Sequence, residues 1–186
     1  MSSIIKVDQI QLANGSTPTA SDLGITVIEG ITVAEQWLLT SNLSLGSASL
    51  TLITSNLARS TNAGSVNAGI TESSGVFSFP STGIWMVQAR MNVQKDGDTR
   101  AAELIMQVST DGGSNYTERA RGQTFITRNN SANTTSGAAL DFLLDVTSTS
   151  NVKVRFGVDI TNATVTVRGS SSGSETSFIF TRIGNT

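Results

Sequence analysis

The sequence contains no cysteine and no histidine. Thiolates and imidazoles supply the ligands of most structural zinc sites and the nucleophile or base of many hydrolases. Their absence excludes disulfides, Cys/His zinc sites and any catalytic triad that uses an imidazole base. A glycine-rich phosphate loop followed by Lys-Ser/Thr is also missing. We therefore expect a protein that is not an enzyme and that uses no cofactor.

Charged residues and long apolar runs are scarce as well. Charged side chains make up 14% of the chain, the net charge is −2, and no polybasic run occurs. Because counterion release on nucleic acid needs clustered Lys and Arg, we expect no nucleic-acid partner. No apolar segment approaches the ~20 residues that span a bilayer, and Lys6 and Asp8 interrupt the apolar residues at the N-terminus. We expect no membrane insertion, no secretory signal, and accumulation in a cytoplasm.

Aromatic residues amount to only 5% and prolines to 2, whereas glycine reaches 17 and Ser and Thr are abundant. This composition, with 38% hydrophobic residues, is typical of an all-β domain with many turns. The length of 186 residues suits one domain with an appendage, because domains commonly contain ~100–150 residues.

Apolar residues occupy every second position in five segments, and this alternation predicts strands with one core-facing side. The rows are Trp85, Val87, Ala89, Met91 and Val93; Ala102, Leu104, Met106 and Val108; Leu140, Phe142, Leu144 and Val146; Val152, Val154, Phe156, Val158 and Ile160; and Ala163, Val165 and Val167. Ala34–Leu43 is predicted as a strand rather than a helix, because Thr40, Ser41 and Asn42 are poor residues for a helix interior. Strands spaced in this way predict an all-β fold of two packed antiparallel sheets, a sandwich or a barrel.

Turn residues separate these rows. Asp96–Gly97–Asp98, Asp111–Gly112–Gly113 and Ser170–Ser174 are the clearest cases. The first is interpreted as a hairpin turn, and the alternative is a weak divalent-cation site that uses Asp96 and Asp98. Asp141 and Asp145 share a face of one strand, which places them ~13 Å apart. That separation is too large for the carboxylate pair of a glycosidase.

The last apolar segment differs from the others. Phe178 and Phe180 lie on one of its faces, and Ile179 and Ile183 lie on the other. A strand that is apolar on both faces is usually buried on both. Either a loop covers the second face, or that face meets another subunit.

The stretch FSFPSTGIW, followed by an alternating strand, resembles the central signature of the TNF-like jelly-roll family, which includes the globular heads of complement-type trimers. The matching residues are Phe77, Phe79, Pro80, Gly83 and Trp85. Glu35–Leu45 resembles the family's opening strand and Ser177–Gly184 its final strand. The resemblance implies a ten-strand jelly roll that trimerises around its C-terminal strands. On this hypothesis the interface residues are Phe178, Phe180 and Ile183.

The N-terminal segment carries a second resemblance. Ile4–Ile25, IIKVDQIQLANGSTPTASDLGI, is similar to the leading segment of virion structural proteins of marine tailed phages. The resemblance implies an attachment arm over residues 1–30 and a head domain over residues 31–186. The expected anchors are the apolar residues of the arm: Ile4, Ile5, Val7, Ile10, Leu12 and Leu23.

Together these features predict a non-enzymatic, homotrimeric surface appendage of a tailed-phage virion: a short fibre, a knob or a capsid decoration. Its partners are itself, other virion proteins through the arm and, in a host-adhesion role, a host surface glycan or protein. Arg119, Arg121 and Arg128 are candidate ligand-facing residues for an anionic polysaccharide, the alternative being a solvated strand face. The alternative function is a free carbohydrate- or protein-binding module with no place on a virion.

Overall fold

The computed structural model describes residues 11, 14–19, 22, 30–46, 49–129, 132–161 and 164–186. The chain divides into two compact units, Met1–Gly30 and Ile31–Thr186. The expected anchors Ile4, Ile5, Val7, Ile10, Leu12 and Leu23 lie outside the described residues.

The described part of the first unit contains two local turns. The Oδ1 atom of Asn14 accepts hydrogen bonds from the backbone N–H and the hydroxyl of Ser16, at 3.0 and 2.6 Å. Between them Gly15 has a φ of +83°, a value that glycine adopts without steric cost. The backbone N–H and hydroxyl of Thr19 both donate to Asp22 Oδ2 at 2.8 Å, which lowers the pKa of the Asp22 carboxyl. Short polar side chains therefore fold this segment locally.

The described residues of the second unit form strands and no helix. The strands are β1 (Val33–Leu39), β2 (Leu43–Leu45), β3 (Thr51–Leu52), β4 (Leu57–Arg59), β5 (Thr71–Ser73), β6 (Val76–Ser78), β7 (Gly83–Lys95), β8 (Thr99–Ser109), β9 (Thr117–Ile126), β10 (Thr134–Val146), β11 (Lys153–Thr161), β12 (Val165–Val167) and β13 (Ser177–Gly184). Among the described residues, no helix is long and apolar enough to cross a membrane.

The strands pair in antiparallel fashion and build two sheets. Sheet one has the order β10–β7–β13–β1–β4. The short strand β12 pairs with the end of β7 that β13 does not reach, and β2 pairs with β12. Sheet two has the order β5–β6–β11–β8–β9, with β3 also paired to β11. The predicted all-β antiparallel sandwich is confirmed.

The core lies between the two sheets and contains the predicted rows. In β7 the residues Trp85, Val87, Met91 and Val93 have no exposed surface and Ala89 has 3%, while the alternate residues Met86, Gln88, Arg90 and Asn92 are more exposed. The predicted strand over Ala34–Leu43 is also present, as β1 and the beginning of β2. Of the predicted rows, only Ala163 lies outside the described residues.

A cluster of aromatic rings joins the sheets at the centre of the core. Phe77 of β6 packs against Trp37 of β1 and against Phe180 of β13, with centroids 5.5 and 5.0 Å apart. Phe156 of β11 lies 4.4 Å from Phe178 of β13. Each such pair contributes about 0.5–1.5 kcal/mol beyond the burial of its area. The cluster therefore attaches the final strand to the opposite sheet.

A buried carboxylate fastens the segment after β4 to β1. The side chain of Glu35 has 0% exposure and accepts hydrogen bonds from the backbone N–H groups of Gly69 and Ile70, at 2.7 and 2.6 Å. Its other oxygen accepts from Arg59 Nε at 2.6 Å and from Trp37 Nε1 at 3.1 Å. A buried charge is costly unless it is paired and hydrogen-bonded, and Glu35 has both kinds of partner.

The three predicted turns have different outcomes. Asp111–Gly113 joins β8 to β9 as a hairpin, as expected. The hairpin interpretation of Asp96–Asp98 was wrong, because this turn leads from β7 in sheet one to β8 in sheet two. Ser170–Ser174 connects β12 and β13, which both pair with β7. Alternation marks the strand on each side of a turn but does not specify the sheet that the strand joins.

One side of the sandwich closes where the edge strands β9 and β10 meet. Gly122 of β9 lies so close to β10 that an added Cβ atom would stand 2.1 Å from the carbonyl oxygen of Ala139. Further along, the hydroxyls of Thr124 and Ser136 are 2.5 Å apart. The absence of a side chain at Gly122 therefore allows the two edges to approach.

We predict that Gly122→Ala destabilises the head, because the new methyl group would force β9 and β10 apart. The expected loss in free energy of unfolding is about 1–3 kcal/mol, measured by urea denaturation. Gly46→Ala is the matched control, since an added Cβ there meets no atom within 4 Å. Equal midpoints for both variants would show that the edges do not depend on close approach.

The β8–β9 hairpin contains a carboxylate with a lowered pKa. Asp111 accepts hydrogen bonds from the backbone N–H of Asn115 at 2.9 Å, from its side-chain amide at 2.7 Å, and from the Ser109 hydroxyl at 2.7 Å. These bonds lower the pKa of Asp111 from 3.8 to about 2. A group whose pKa is depressed by folding stabilises the protein above its unfolded pKa, and this stabilisation disappears as the pH falls through the folded pKa.

We therefore predict that the free energy of unfolding decreases as the pH falls from about 4 to about 2, and that Asp111→Asn reduces this slope. Urea unfolding at a series of pH values gives the slope for each protein. Asp159→Asn serves as control, because the side-chain carboxylate of Asp159 accepts no hydrogen bond within the described part of the chain. An unchanged slope in Asp111→Asn would contradict the prediction.

Candidate assembly face

An apolar row crosses the outer face of sheet one. Leu143 of β10 is aligned with Met86 of β7, which is aligned with Thr181 of β13. Thr181 is aligned with Ala34 of β1. Ala34 and Val66 exchange two backbone hydrogen bonds: the N–H of Ala34 donates to the carbonyl of Val66 at 3.0 Å, and the N–H of Val66 donates to the carbonyl of Ala34 at 2.8 Å. We call these five residues, together with Ile84, Ile179 and Ile183, the assembly face.

The assembly face is partly open to solvent. Leu143 is 56% exposed, Ile183 46% and Val66 43%. Met86 and Ile179 are half-buried. Contiguous apolar surface of this kind on a soluble protein commonly marks an interaction site.

Charges border the assembly face on two sides. Asp141 and Asp145 flank Leu143 on β10, and Asp141 accepts a hydrogen bond from Gln88 at 2.9 Å. Arg90 of β7 lies in a parallel row, next to Ala139 and Ser177 in the pairing register. Within the described part of the chain, the exposed side chain of Arg90 makes no ion pair or hydrogen bond. The face thus combines an apolar centre with acidic and basic margins.

The chain's own loops cover the end of this sheet. Leu38 points outwards but is only 4% exposed, and it shares a pocket with Ser60 and Ser174. Glu175 holds the loop before β13 by accepting from Asn92 at 2.9 Å and from Arg168 at 2.7 Å. The same contacts lower the pKa of Glu175. The loops therefore cover the part of this sheet around Leu38, and the apolar side chains of Leu143, Ile183 and Val66 remain open to solvent.

The structure corrects part of the predicted interface. Phe178 and Phe180 are 0% exposed inside the core of one chain, so neither ring reaches a surface where another subunit could bind. The physical reason is the aromatic cluster, which draws this face of β13 onto sheet two. Ile183, the third predicted residue, is 46% exposed and lies at a register shift near the end of β13.

The sequence pattern alone did not identify Leu143, Met86 and Ile84 as candidate interface residues. A signal was available, because Leu143 interrupts a polar strand face between Asp141 and Asp145. Met86 and Ile84 likewise occupy the face opposite the buried row of β7. Each residue is unremarkable on its own strand, and only the cross-strand register brings the three together.

Asp96 and Asp98, the candidate cation ligands, both contact Arg128, one of the three candidate ligand-facing arginines. The backbone N–H of Arg128 donates to Asp98 Oδ1 at 2.6 Å, and its Nε lies 3.4 Å from Asp96 Oδ1. A divalent cation at this turn would have to displace the guanidinium from Asp96. Among the described residues no group of three or more acidic side chains, histidines or cysteines is suited to hold a metal ion.

The other two predicted ligand-facing arginines have different surroundings. Arg121 forms ion pairs with Glu103 and with Glu118, the latter at 2.8 Å, and its hydrogen bond lowers the pKa of the Glu118 carboxyl. Arg119 is exposed and makes no ion pair within the described residues. Arg119, Arg121 and Arg128 therefore do not form one free basic patch.

The strand order defines a two-sheet jelly roll, and known structures share it. No protein-family model and no curated protein matches the sequence. The chain is similar to a crystal structure of murine APRIL at pH 8.0, with 12% identity, a TM-score of 0.53, and coverage of 81% of this chain and 98% of that chain. It is also similar to the structure of Eiger TNF from S. frugiperda, with 7% identity, a TM-score of 0.59, and coverage of 84% and 95%.

At these identities the similarity concerns the fold alone. The chain has the TNF-like jelly-roll fold that its sequence predicts. The described residues form a seven-stranded and a six-stranded sheet, thirteen strands in all, whereas the resemblance implied ten.

Proposed function

We propose that this protein is a non-enzymatic structural protein that assembles as a homotrimer through the assembly face. The observation that carries the proposal is the apolar row from Leu143 to Val66 on a sheet whose other side already forms the core. Removing apolar surface from water contributes about 25 cal/mol per Å². A partner that covers this row therefore stabilises the assembly, and the family resemblance of the sequence favours a second and a third copy of the same chain.

The charges at the margins fit a closed ring. In a threefold ring each contact joins two different surfaces of the subunit. Such a contact allows the acidic strand β10 of one subunit to face the Arg90 side chain of the next. Arg90 lacks an ionic partner within the described residues of its own chain, so this pairing adds specificity to the apolar contact.

We predict that Leu143→Asp dissociates the trimer, because the substitution places a third carboxylate between Asp141 and Asp145 in an apolar contact. Light scattering should give the 19.4 kDa of one chain instead of about three times that mass. Circular dichroism should remain that of a folded β protein, since Leu143 is 56% exposed in the single chain.

The matched control is Phe125→Asp, an exposed apolar residue on β9 of sheet two. This variant should keep the trimeric mass. A Leu143→Asp variant that stays trimeric, or a wild type that is monomeric at all concentrations, contradicts the proposed assembly.

We further propose that residues 1–30 attach the trimer to a tailed-phage virion. This part rests on the resemblance of Ile4–Ile25 to the leading segment of marine-phage virion proteins. Apolar anchors such as Ile5, Val7 and Ile10 suit docking by strand addition or in apolar pockets of another virion protein. Three arms on one trimer bind together, so weak individual contacts sum to a firm attachment.

The resulting particle component is a short fibre, a knob or a capsid decoration, produced in the host cytoplasm and located on the virion. Its outer loops are presented in three copies, which also suits host adhesion through weak contacts.

We predict that deletion of residues 1–30 leaves a trimeric head that is lost from particles. The measurement is antibody labelling of purified virions complemented with either form, together with light scattering of the free protein. Val7→Asp in the full chain should also lose incorporation, whereas Thr17→Ala, a polar change in the same segment, should not. Incorporation of the deleted form at the wild-type level, or full binding activity without any particle, favours the free binding module instead.

A further inference from the structure

Phe125 of β9 is the most exposed large apolar side chain in the described part of the protein, at 66%. It lies on sheet two, whereas the assembly face lies on sheet one. An isolated exposed apolar residue needs no explanation. Phe125 differs because a bulge, a groove and a cation that has no ionic partner among the described residues lie next to it.

The bulge is in the neighbouring strand, β8. Thr99 pairs with Ile126 and Ala102 pairs with Thr124, so two residues of β8 stand opposite the single residue Phe125. Arg100 is one of these two residues. Bulges of this kind change the direction of a side chain and are frequent next to functional sites.

The bulge changes which side chains of β8 face the core. Regular alternation would place Arg100 on the buried face together with Ala102 and Leu104. Instead Arg100 is exposed and Thr99 is buried, with 2% exposure and a hydroxyl that has no hydrogen-bond partner in the described structure. The chain thus accepts an unpaired buried hydroxyl at the point where Arg100 is turned outwards beside Phe125.

A groove of about 270 Å³ lies at this position. Its lining residues are Asp98, Thr99, Arg100, Phe125, Ile126 and Thr127. The Arg100 side chain makes no ion pair or hydrogen bond within the described residues. The groove is smaller than the ~300–1,000 Å³ of sites for drug-sized ligands, which suits a single ring.

We propose that this groove binds one sugar ring that carries a carboxylate, as in a uronic-acid unit of a polysaccharide. The flat apolar face of a sugar ring packs against an exposed aromatic ring such as Phe125. The Arg100 guanidinium pairs with the carboxylate through two parallel hydrogen bonds. The Thr127 hydroxyl and the Asp98 carboxylate offer partners for the sugar hydroxyls.

The proposal assigns a site different from the arginines singled out in the sequence. Arg121 is occupied by Glu103 and Glu118, and Arg128 lies beside Asp96. Arg100, in contrast, is accessible and has an aromatic neighbour. The site is complete within one head domain and does not depend on the proposed place on a virion.

The test is a titration of the full-length protein with sodium D-glucuronate, followed by amide NMR. A single small ring in an open groove should bind with a Kd on the order of 1 mM. Shifts should concentrate at residues 98–100 and 125–127. D-Glucose has the sugar ring without the carboxylate, and sodium acetate has the carboxylate without the ring. Both should bind at least about tenfold more weakly than glucuronate.

Variants separate the two contacts. Arg100→Gln should weaken glucuronate binding at least about tenfold, to the level of glucose, because it removes the carboxylate partner. Phe125→Ala should weaken glucuronate and glucose alike. Arg119→Gln, which removes an exposed and unpaired arginine from the same strand β9, should leave the affinity unchanged.

Three results would overturn the proposal. The first is an absence of shifts at the groove residues at glucuronate concentrations well above the expected Kd. The second is acetate binding as tight as glucuronate binding, which would reduce the site to an unspecific anion contact. The third is an equal loss of affinity in Arg119→Gln and Arg100→Gln, which would indicate general charge attraction.

Discussion

The packing of Phe178 and Phe180 against Phe77 and Phe156 is the contact on which the rest of the structure depends. It attaches the last strand of sheet one to the inner face of sheet two. Because side chains of a strand alternate between its two faces, burial of these rings turns Ile179 and Thr181 outwards. β13 lies between β7 and β1, so its pairing register also places Met86 and Ala34 beside these residues. The core therefore determines the composition of the assembly face.

The two proposed surfaces belong to different sheets, and this separation has a functional consequence. The proposed self-association uses the outer face of sheet one, whereas the Phe125 groove lies on the strand pair β8–β9 of sheet two. A contact that covers Leu143 therefore leaves sheet two free to bind a ligand. In a trimer the groove is present three times, and millimolar binding of single sugar rings then adds up along a polysaccharide.

Much of the fold was accessible from the sequence because strand burial repeats every two residues. The rows of β7, β8 and β11 follow from local alternation, and so does the hairpin at Asp111–Gly113. The interface was harder, since Phe178 and Ile179 are both apolar and alternation alone does not say which face turns inwards. The Phe125 groove was not foreseen, because it depends on one extra residue in β8 that has no counterpart in β9.

The sequence alone was sufficient to predict the all-β class and the buried row of each long strand. It was also sufficient to exclude sites that need cysteine or histidine. These conclusions follow from composition and short-range periodicity. Contacts between distant strands decided the remainder. They buried Phe178 and Phe180, aligned Leu143 with Met86, led the Asp96–Asp98 turn from one sheet to the other, and turned Arg100 towards solvent beside Phe125. Such choices depend on register and sheet partner, which are set by packing between segments many residues apart and leave no mark in any short stretch of sequence.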